Sequence, residues 1–314
     1  MQSFETISEY NEYIKSKVCN IAYIKSTGQV FINGRQINRV EDMSYIYIST
    51  KVNIVYNGAR DFFIQEGLNI RYNFDTNIAT VEIPTSMITS IIDSMPSTVK
   101  KHVIKIVFSE NINEFPTSFR DFIELTEINI PNIITSISDE MFCNCKKLTK
   151  INLPNTITTI EENAFRNCYS LGNINIPSSV EYIGKQAFWN CNQLISIVIP
   201  KSVQSIGVNC FGCCRNLETI KLPSNIITIP MSCFSNCNSL ETVVWQPDSM
   251  YAEIDDNAFN NCYLLQNIDS WANNISHVGL NAFYNSSYHD TYTDYFRSDC
   301  KIDGYLEYEI NEEE

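Results

Sequence analysis

The chain has 314 residues, of which 22 are Lys or Arg and 36 are Asp or Glu, so its formal net charge is −14. A surface that binds nucleic acid needs concentrated basic side chains, and this composition argues against nucleic acid as a partner. The sequence contains no run of about 18 apolar residues, so it predicts no insertion into a membrane.

The first segment, residues 1–75, contains no repeat and is predicted to form a small β-rich domain with one helix. Ser3 is a candidate N-cap for a helix through Lys17, and the pair Asn33-Gly34 predicts a tight hairpin. Acidic residues interrupt the N-terminal stretch, which does not resemble a secretory signal. We therefore expect a cytoplasmic or virion-associated protein in preference to a classically secreted one, with residues 1–75 as a capping or docking domain.

The sequence then repeats itself. Phenylalanine returns at intervals of 23 to 25 residues, and six of these phenylalanines are followed by Cys three residues later and Leu three residues after that. A fixed period of this length is the signature of stacked supersecondary units. The repeating phenylalanines are Phe119, Phe142, Phe165, Phe188, Phe211, Phe234, Phe259 and Phe283.

One repeat, residues 165–187, indicates what each unit must be. Ile174 and Ile176 alternate with asparagines, which is the two-residue period of a strand, and Pro177 ends that strand. The Phe, Cys and Leu that open the repeat are spaced by three residues, which favours a short helical or 3₁₀ turn. Such a unit can bury its apolar side chains only against neighbouring units.

The first aliphatic residue of the strand recurs nine times, which predicts about nine coils in residues 76–283. The outer coils are degenerate, as expected where terminal repeats must cap an open stack. Residues 284–314 are predicted to form a C-terminal cap and an acidic tail. The nine strand positions are Val81, Ile106, Ile128, Ile151, Ile174, Ile197, Ile220, Val243 and Ile268.

The unit resembles the BspA-like (Treponema-type) leucine-rich repeat, which reads A-F-x-x-C-x-x-L-x-x-I-x-I-P-x-x-V-x-x-I-G. Ala164 and Phe165 match its alanine–phenylalanine junction and Gly184 its glycine, whereas Cys210 stands in an alanine slot and Pro230 near a glycine slot. The asparagine ladder of ordinary leucine-rich repeats is missing, and proline occupies that neighbourhood. The resemblance implies an α/β repeat solenoid with a parallel strand ladder. It also implies adhesion or protein binding, since such repeats occur in bacterial surface proteins, parasitic protists and viruses.

Six of the twelve cysteines share one repeat position, and we interpret them as a buried ladder of small apolar side chains. A spacing of about 5 Å between neighbouring Cα atoms would permit disulfides, but identical side-chain directions argue against pairing. A zinc site at Cys210 and Cys213 would need a second ligand pair, and no histidine is near them in sequence. No metal and no cofactor are predicted. The ladder is Cys145, Cys168, Cys191, Cys214, Cys237 and Cys262.

No catalytic residues are assigned, and the chain is not expected to be an enzyme. The sequence lacks a nucleophile elbow, a phosphate-binding glycine-rich loop and a metalloprotease helix motif. The three histidines, His102, His277 and His289, are dispersed along the chain.

The outward side chains of the predicted strands form the candidate binding surface. They are largely polar and neutral, and rigid strands would array them for protein backbone or sugar hydroxyls; the alternative is a solvated face without a partner. Trp189 occupies a position that is polar in other repeats, and is either an aromatic anchor or half-buried filler. The candidates are Glu127, Asn129, Lys150, Asn152, Asn173, Asn175, Ser196, Val198, Thr219, Lys221 and Trp189.

The sequence thus predicts a non-enzymatic leucine-rich repeat protein for protein binding or cell-surface adhesion. Its expected partner is a protein or glycan on a cell surface. The alternative is a phage virion structural or host receptor-binding protein that docks by residues 1–75 and has other virion proteins as partners. That alternative comes from the segment 21–34, which resembles a hairpin in structural proteins of phages that infect gut bacteria.

Overall fold

This computed structural model describes the backbone of five strands before residue 50, and then residues 62–66, 68–73, 78–109, 112–266, 268–287, 296 and 298–303. The chain divides into two compact units, Met1–Ile134 with Cys145–Ile151 and Thr135–Asn144 with Asn152–Glu314. Within the described residues, the helices are all too short or too polar to cross a lipid bilayer. The domain limits at residues 75 and 283 stay a prediction.

The first unit begins with a sheet of four strands: β1 (Gln2–Phe4), β2 (Ile21–Ile24), β3 (Gln29–Ile32) and β4 (Arg35–Ile37). β1 and β2 pair in parallel, and β3 pairs antiparallel with both β2 and β4. Ser3 lies in β1 and pairs with Tyr23, so its prediction as a helix N-cap is wrong. The rest of that predicted helix, and the predicted Asn33-Gly34 turn, lie outside the described residues.

A second sheet includes six strands in the order β11 (Lys150–Asn152), β9 (Glu127–Asn129), β8 (Val103–Val107), β5 (Met43–Ser49), β7 (Ile78–Pro84) and β6 (Asn69–Asn73). Two helices lie between β7 and β8 in the chain. The elements up to residue 152 are β5 (Met43–Ser49), β6 (Asn69–Asn73), β7 (Ile78–Pro84), α1 (Thr85–Ser94), α2 (Ser97–Lys100), β8 (Val103–Val107), β9 (Glu127–Asn129), β10 (Ser136–Ile137, in the second unit) and β11 (Lys150–Asn152).

The parallel strands of the repeats begin at Ile106, and the predicted first coil at Val81 is wrong. Val81 lies in β7, which pairs antiparallel with both β5 and β6. Ile106 lies in β8, which pairs in parallel with β9. The segment Val81–Pro84 resembles the repeat because side-chain alternation is common to parallel and antiparallel strands, whereas the direction of pairing depends on partners that are distant in sequence.

The second unit is built of coils that contribute short parallel strands to three sheets, of order β10-β12-β14-β16, β15-β17-β19 and β18-β20-β21-β22. Its remaining elements are β12 (Thr159–Ile160), β13 (Asn173–Asn175), β14 (Tyr182–Ile183), β15 (Ser196–Val198), β16 (Ser205–Ile206), β17 (Thr219–Lys221), β18 (Thr228–Ile229), β19 (Thr242–Val244), β20 (Ala252–Ile254), α3 (Asp269–Ala272), β21 (Ile275–Val278) and β22 (Lys301–Ile302).

A column of stacked phenylalanine rings fills the interior of the second unit. Successive ring centroids are 5.3–5.7 Å apart, and neighbouring ring planes differ by at most 16°. The rings stack because each coil repeats the backbone of the coil before it, about one strand spacing of 4.8 Å away. Every ring of the column is fully buried: Phe142, Phe165, Phe188, Phe211, Phe234, Phe259 and Phe283.

The segment that opens each repeat is predicted to be a short helical or 3₁₀ turn, and it forms separate turns, each closed by a hydrogen bond between residues three apart as in a 3₁₀ turn. In one coil the Cys168 N–H donates to the Phe165 carbonyl at 3.1 Å, and the Leu171 N–H donates to the Cys168 carbonyl at 3.0 Å. Asn167, between them, has a φ of 61°, which a right-handed helix cannot accommodate. The repeats therefore contain little helix.

The predicted strand at Ile268 is also wrong, because the helix α3 follows that residue. Only an isolated bridge between Thr242 and Gln266 continues the strand ladder there, within the described residues. The second aliphatic residue of the repeat is missing, and Trp271 on α3 is buried instead. Its ring lies 5.6 Å from that of Trp245, and its indole N–H donates to the Val243 carbonyl at 3.2 Å.

The described part of the C-terminal segment packs on the last coil. β22 pairs in parallel with β21, and the ring of Phe296 lies 6.0 Å from that of Phe283. Residues 288–295 and the acidic end at 312–314 lie outside the described residues, so the cap formed by 284–314 stays a prediction.

Candidate functional site

Inward and outward side chains alternate along the strands, as the sequence predicts. In β13 the central Ile174 is buried while Asn173 and Asn175 are exposed. β9, β11 and β15 show the same pattern, and in β17 the outward Thr219 is half-buried. The outward placement of the ten strand candidates is thus confirmed, whereas their role in binding stays a prediction.

The ladder cysteines anchor each coil to the one before it. The predicted burial of all six is confirmed, and each thiol donates a hydrogen bond to the carbonyl of the phenylalanine in the preceding coil, with Sγ–O distances of 3.1–3.3 Å. Desolvation by burial raises the pKa of the Cys191 and Cys237 thiols well above its ordinary value, and that of Cys214 to about 12. These groups stay protonated, so they act as donors and not as nucleophiles.

Asparagines form a second ladder, which the sequence analysis missed. Asn167 donates from Nδ2 to Asn144 Oδ1 at 2.7 Å, and Asn190 donates to Asn167 Oδ1 at 3.0 Å. Each has a φ near 60°, a left-handed conformation that asparagine tolerates better than most residues. This ladder could have been suspected from the sequence, because Asn precedes five of the six ladder cysteines. The ladder is interrupted at Cys213, which has a φ of 60° itself, and resumes with Asn236, Asn261 and Asn285.

In the first unit, two of the predicted site residues already have partners within the protein. The Glu127 carboxylate pairs with Lys105 at 2.8 Å. The Asn129 side chain accepts from the Phe108 N–H at 2.6 Å and donates to the Phe108 carbonyl at 3.0 Å. Lys150 is exposed at the start of β11. The contacts of Glu127 and Asn129 serve the strand ladder, so these two residues are weak candidates for recognition.

In the second unit, three strands bring six outward side chains into two rows. Parallel register places Ser196, Thr219 and Thr242 side by side as a row of hydroxyls. The same register places Val198, Lys221 and Val244 side by side, with the lysine between the two valines. Asn152, Asn173 and Asn175 are exposed on β11 and β13.

A groove lies where β15, β17 and β19 run into the loops that follow them. It encloses about 750 Å³. Its floor contains the buried side chains of Ile199, Leu222 and Trp245. We call it the strand-face groove, and it is lined by 198–201, 221–224, 242–246, Asp248 and Ser270.

Of the charged side chains in the strand-face groove, the carboxylate has a hydrogen-bond partner and the two lysines form no ion pair with any described residue. Asp248 accepts a hydrogen bond from the Ser224 hydroxyl at 2.8 Å. Lys201 and Lys221 are exposed, and neither ammonium group has a carboxylate within 4.0 Å among the described residues. The groove therefore offers two cations that form no ion pair within the described part of the chain, beside exposed aliphatic side chains.

Trp189 does not lie on the strand face. It belongs to a turn, where the Arg166 guanidinium lies 4.8 Å from the centre of its ring. A Cβ on Gly212 of the next coil would lie 3.0 Å from the Trp189 ring, so that glycine makes room for it. Trp189 is half-buried between neighbouring coils, as expected of filler, and a role as an aromatic anchor stays a prediction.

The structure brings together no further reactive cluster in the part of the chain that it describes. No three side chains of the metal-binding types His, Cys, Asp and Glu are grouped to hold a metal ion there. His277 Nε2 lies 2.9 Å from Asp303 Oδ2, and this hydrogen bond holds the pKa of the Asp303 carboxyl below its ordinary value. The contact joins β21 to the residue after β22 and serves packing.

Several groove residues were not among the predicted candidates. Lys201 and Asp248 lie in loops beyond the strands, and Trp245 is the buried floor. The available signal was the change from Ile-x-Ile-Pro to Val243-Val244-Trp245, which interrupts the repeat at this coil.

Coils of this length, with parallel strands stacked over a phenylalanine column, define a leucine-rich repeat solenoid. A family model described as the BspA type leucine rich repeat region matches residues 69–195, 115–241 and 181–294, with six copies. These matches cover well over half of the sequence, so the chain belongs to the BspA-type leucine-rich repeat family. The predicted family and the parallel-strand solenoid are confirmed, with about eight turns in place of the predicted nine.

Solved structures of other leucine-rich repeat proteins are similar to this chain. A protein from Bacteroides ovatus ATCC 8483 is 27% identical with a TM-score of 0.52, and the match covers 59% of this chain and 50% of that one. The T. pallidum leucine-rich repeat protein is 24% identical over 59% of this chain and 77% of its own, with a TM-score of 0.46. A leucine-rich cell surface protein from Faecalibacterium prausnitzii A2-165 is 23% identical over 60% and 67%, with a TM-score of 0.31. This chain thus spans about half the length of the Bacteroides protein, and no curated protein matches it.

Proposed function

We propose that this protein is a non-enzymatic binding protein that recognises a protein partner, or adheres to a cell surface, through its exposed strand face. The observation that carries the proposal is the row Val198, Lys221 and Val244, which parallel register fixes on three neighbouring strands beside an open groove. The strands already fix the backbone positions of these residues, so binding a partner costs little conformational entropy of the backbone.

Contacts elsewhere in the chain support the choice of this face. The turns on the other side of each coil are tied together by the asparagine ladder and by Trp189 packed against Arg166. The outward strand side chains of the second unit are exposed on β13 and β15, and on β17 and β19 one of the two is exposed and the other half-buried. A surface whose polar groups are not already paired is better suited to recognise a partner.

A matched pair of charge reversals on one coil tests the proposal. Lys221→Glu changes the strand-face groove, whereas Arg215→Glu makes the same charge change at an exposed turn residue that does not line the groove. Labelled full-length protein and both variants are applied to arrays of cell-surface proteins and glycans. We expect the Arg215 variant to keep the partners of the unaltered protein and the Lys221 variant to lose them. Retention of every partner by the Lys221 variant would contradict the strand face as the binding surface.

The non-enzymatic part of the proposal has a separate test. The full chain should show no turnover of generic ester, phosphate ester, glycoside and peptide substrates, once the activity of contaminating hydrolases has been subtracted.

The virion alternative depends on residues 1–75, most of which lie outside the described residues, and stays a prediction. Finding the protein in purified phage particles would support it.

A further inference from the structure

We infer that the strand-face groove takes an acidic segment of a partner protein, with a carboxylate that meets Lys221 and aliphatic side chains that cover Val198 and Val244. This inference rests on the proposed function and adds the chemistry of the partner. It is carried by the apolar surface of the groove and by its two lysines without an ion-pair partner among the described residues.

The apolar part of the groove is exposed in a regular pattern. Val198 is 60% exposed and Val244 is 45% exposed. They lie two strands apart in parallel register, which separates them by about 10 Å. Exposed valines next to a groove lose water contact when aliphatic side chains cover them, and that burial is favourable.

The charged part lies between and beside the valines. Lys221 stands between them on the central strand, and Lys201 lies in the loop after β15. The carboxylate in the groove, Asp248, accepts its hydrogen bond from Ser224 and forms no ion pair with either lysine, so the two lysines leave the groove with an excess of positive charge. Four other lysines, in contrast, have carboxylate partners: Lys105, Lys147, Lys185 and Lys301.

A local positive charge remains effective although the whole chain has a net charge of −14. The Debye length is about 8 Å at physiological ionic strength, so distant carboxylates of the chain are screened at the groove. A partner carboxylate placed between two aliphatic side chains would therefore meet an attractive site. Charge complementarity of this kind favours an acidic segment over a basic one.

A protein segment fits this site better than a glycan. Sugar hydroxyls would have to lie against two valine side chains that offer no hydrogen bonds, and burying unpaired hydroxyls is costly. The Trp245 ring, which lines the groove, is only 1% exposed and is not available for stacking on a sugar. Thr242, which is half-buried, also lines the groove.

The test uses two synthetic dodecapeptide pools that are random except for a fixed central residue, Glu in one and Gln in the other. Both are passed over immobilised full-length protein, and retained peptide is measured by mass spectrometry. We expect the Glu pool to be retained two- to fivefold more than the Gln pool, the range of one exposed ion pair. The retained peptides should be enriched in Val, Ile and Leu, and the difference should shrink as NaCl is raised.

Matched variants assign the effect to the groove. Lys221→Gln should remove the preference for Glu, whereas Arg215→Gln should keep it. Val198→Ser should remove the aliphatic enrichment, and Leu264→Ser, at an exposed turn residue, should keep it. All four residues are exposed, so unchanged thermal unfolding temperatures will show that each variant folds.

Each result decides the inference. Equal retention of the two pools, or equal loss of the preference in the Lys221 and Arg215 variants, overturns it. Retention of a sulfated oligosaccharide that depends on Lys221, without any preference for Glu peptides, assigns the groove to anionic glycans and also overturns it. The proposed function survives that result, and it also survives if the proteins or glycans bound on the arrays are lost in the Lys221→Glu variant. Only the inference that the partner segment is acidic would then be wrong.

Discussion

At the scale of single residues, one backbone requirement explains the asparagines of the repeat. The turn before each ladder cysteine needs a left-handed residue, and Asn144, Asn167 and Asn190 supply it with φ values of 61° to 64°. The aligned side chains then bond from coil to coil. The sequence shows the recurring Asn, but the sign of φ depends on the turn that surrounds it, so the ladder could not be predicted from composition or spacing alone.

Cys213 should be the weakest point of this ladder, and Cys213→Asn should stabilise the protein. A left-handed conformation costs an ordinary residue about 1–2 kcal/mol, and asparagine tolerates it better. The Cys213 thiol already has a hydrogen bond with Asn236, and an asparagine side chain can in addition bond to Asn190 on the other side of the ladder. We expect the free energy of unfolding to rise by about 1 kcal/mol, measured by urea denaturation.

The reverse substitution is the control for Cys213. Asn167→Cys breaks the bonds to Asn144 and Asn190 and should lower the free energy of unfolding by about 1–2 kcal/mol. If both variants shift the denaturation midpoint in the same direction, the ladder does not contribute as described.

At the scale of secondary-structure elements, the strand predictions are right where side-chain alternation alone determines the strand. They are wrong where the outcome depends on contacts with residues that are distant in sequence. Ile174 alternates with asparagines and ends before proline, and it lies in β13 as expected. Val81 shows the same pattern, but its strand β7 pairs antiparallel with β5, which comes from the non-repeating residues 43–49. After Ile268, Ser270 stands where the repeat has its second aliphatic residue, and the helix α3 places Trp271 against Trp245.

The column of buried thiols should make the folded protein sensitive to alkali. An unfolded cysteine ionises with a pKa of about 8.5, while folded Cys214 keeps its proton up to a pKa of about 12. Its contribution to stability is therefore complete below pH 8.5 and falls by about 1.4 kcal/mol for each pH unit above it. We expect unfolding free energies, measured in reductant between pH 7.5 and 10, to fall steeply above pH 8.5.

Cys214→Ser isolates the effect of one thiol. The serine hydroxyl can still donate to the Phe188 carbonyl, which now accepts from Cys214 at 3.1 Å, but it does not ionise in this pH range. The variant should lose stability less steeply, by about 1.4 kcal/mol per pH unit. Identical slopes for the two proteins would show that the thiol titrates normally when folded.

The glycines of the repeat should differ in their tolerance of alanine. A Cβ on Gly207 would lie 2.3 Å from the Lys185 backbone nitrogen in the preceding coil, whereas the nearest atom to a Cβ on Gly172 is 3.5 Å away. Gly207→Ala must push two coils apart and should cost about 1–3 kcal/mol. Gly172→Ala, the control, should stay within about 0.5 kcal/mol of the unaltered protein in the same denaturation experiment. A similar loss for both would argue against close contact between coils.

At the scale of the whole molecule, the family and the solenoid could be predicted because the period is visible in the sequence. The candidate site was predicted in part. Val198 and Lys221 follow from strand alternation, but Lys201 and Asp248 lie in loops whose course the repeat does not fix. Trp189 was ambiguous because the space for it is made by Gly212, one repeat away.

The stability of a repeat protein lies mostly in the contacts between neighbouring coils. The second unit concentrates these contacts in its buried column, where the Phe188 ring lies 5.3 Å from Phe165 and 5.4 Å from Phe211. Asn175, on the strand face, is exposed. The proposed function requires this division, since outward residues can serve recognition only if the fold does not depend on them.

Thermal and urea denaturation of Phe188→Ala and Asn175→Ala, measured side by side, test that division most directly. Phe188→Ala should lower the free energy of unfolding by about 3–5 kcal/mol, because it leaves a cavity in the stack. Asn175→Ala should change it by less than about 0.5 kcal/mol. Equal losses in the two variants would contradict the assignment of an inward side that holds the coils and an outward side that is available for binding.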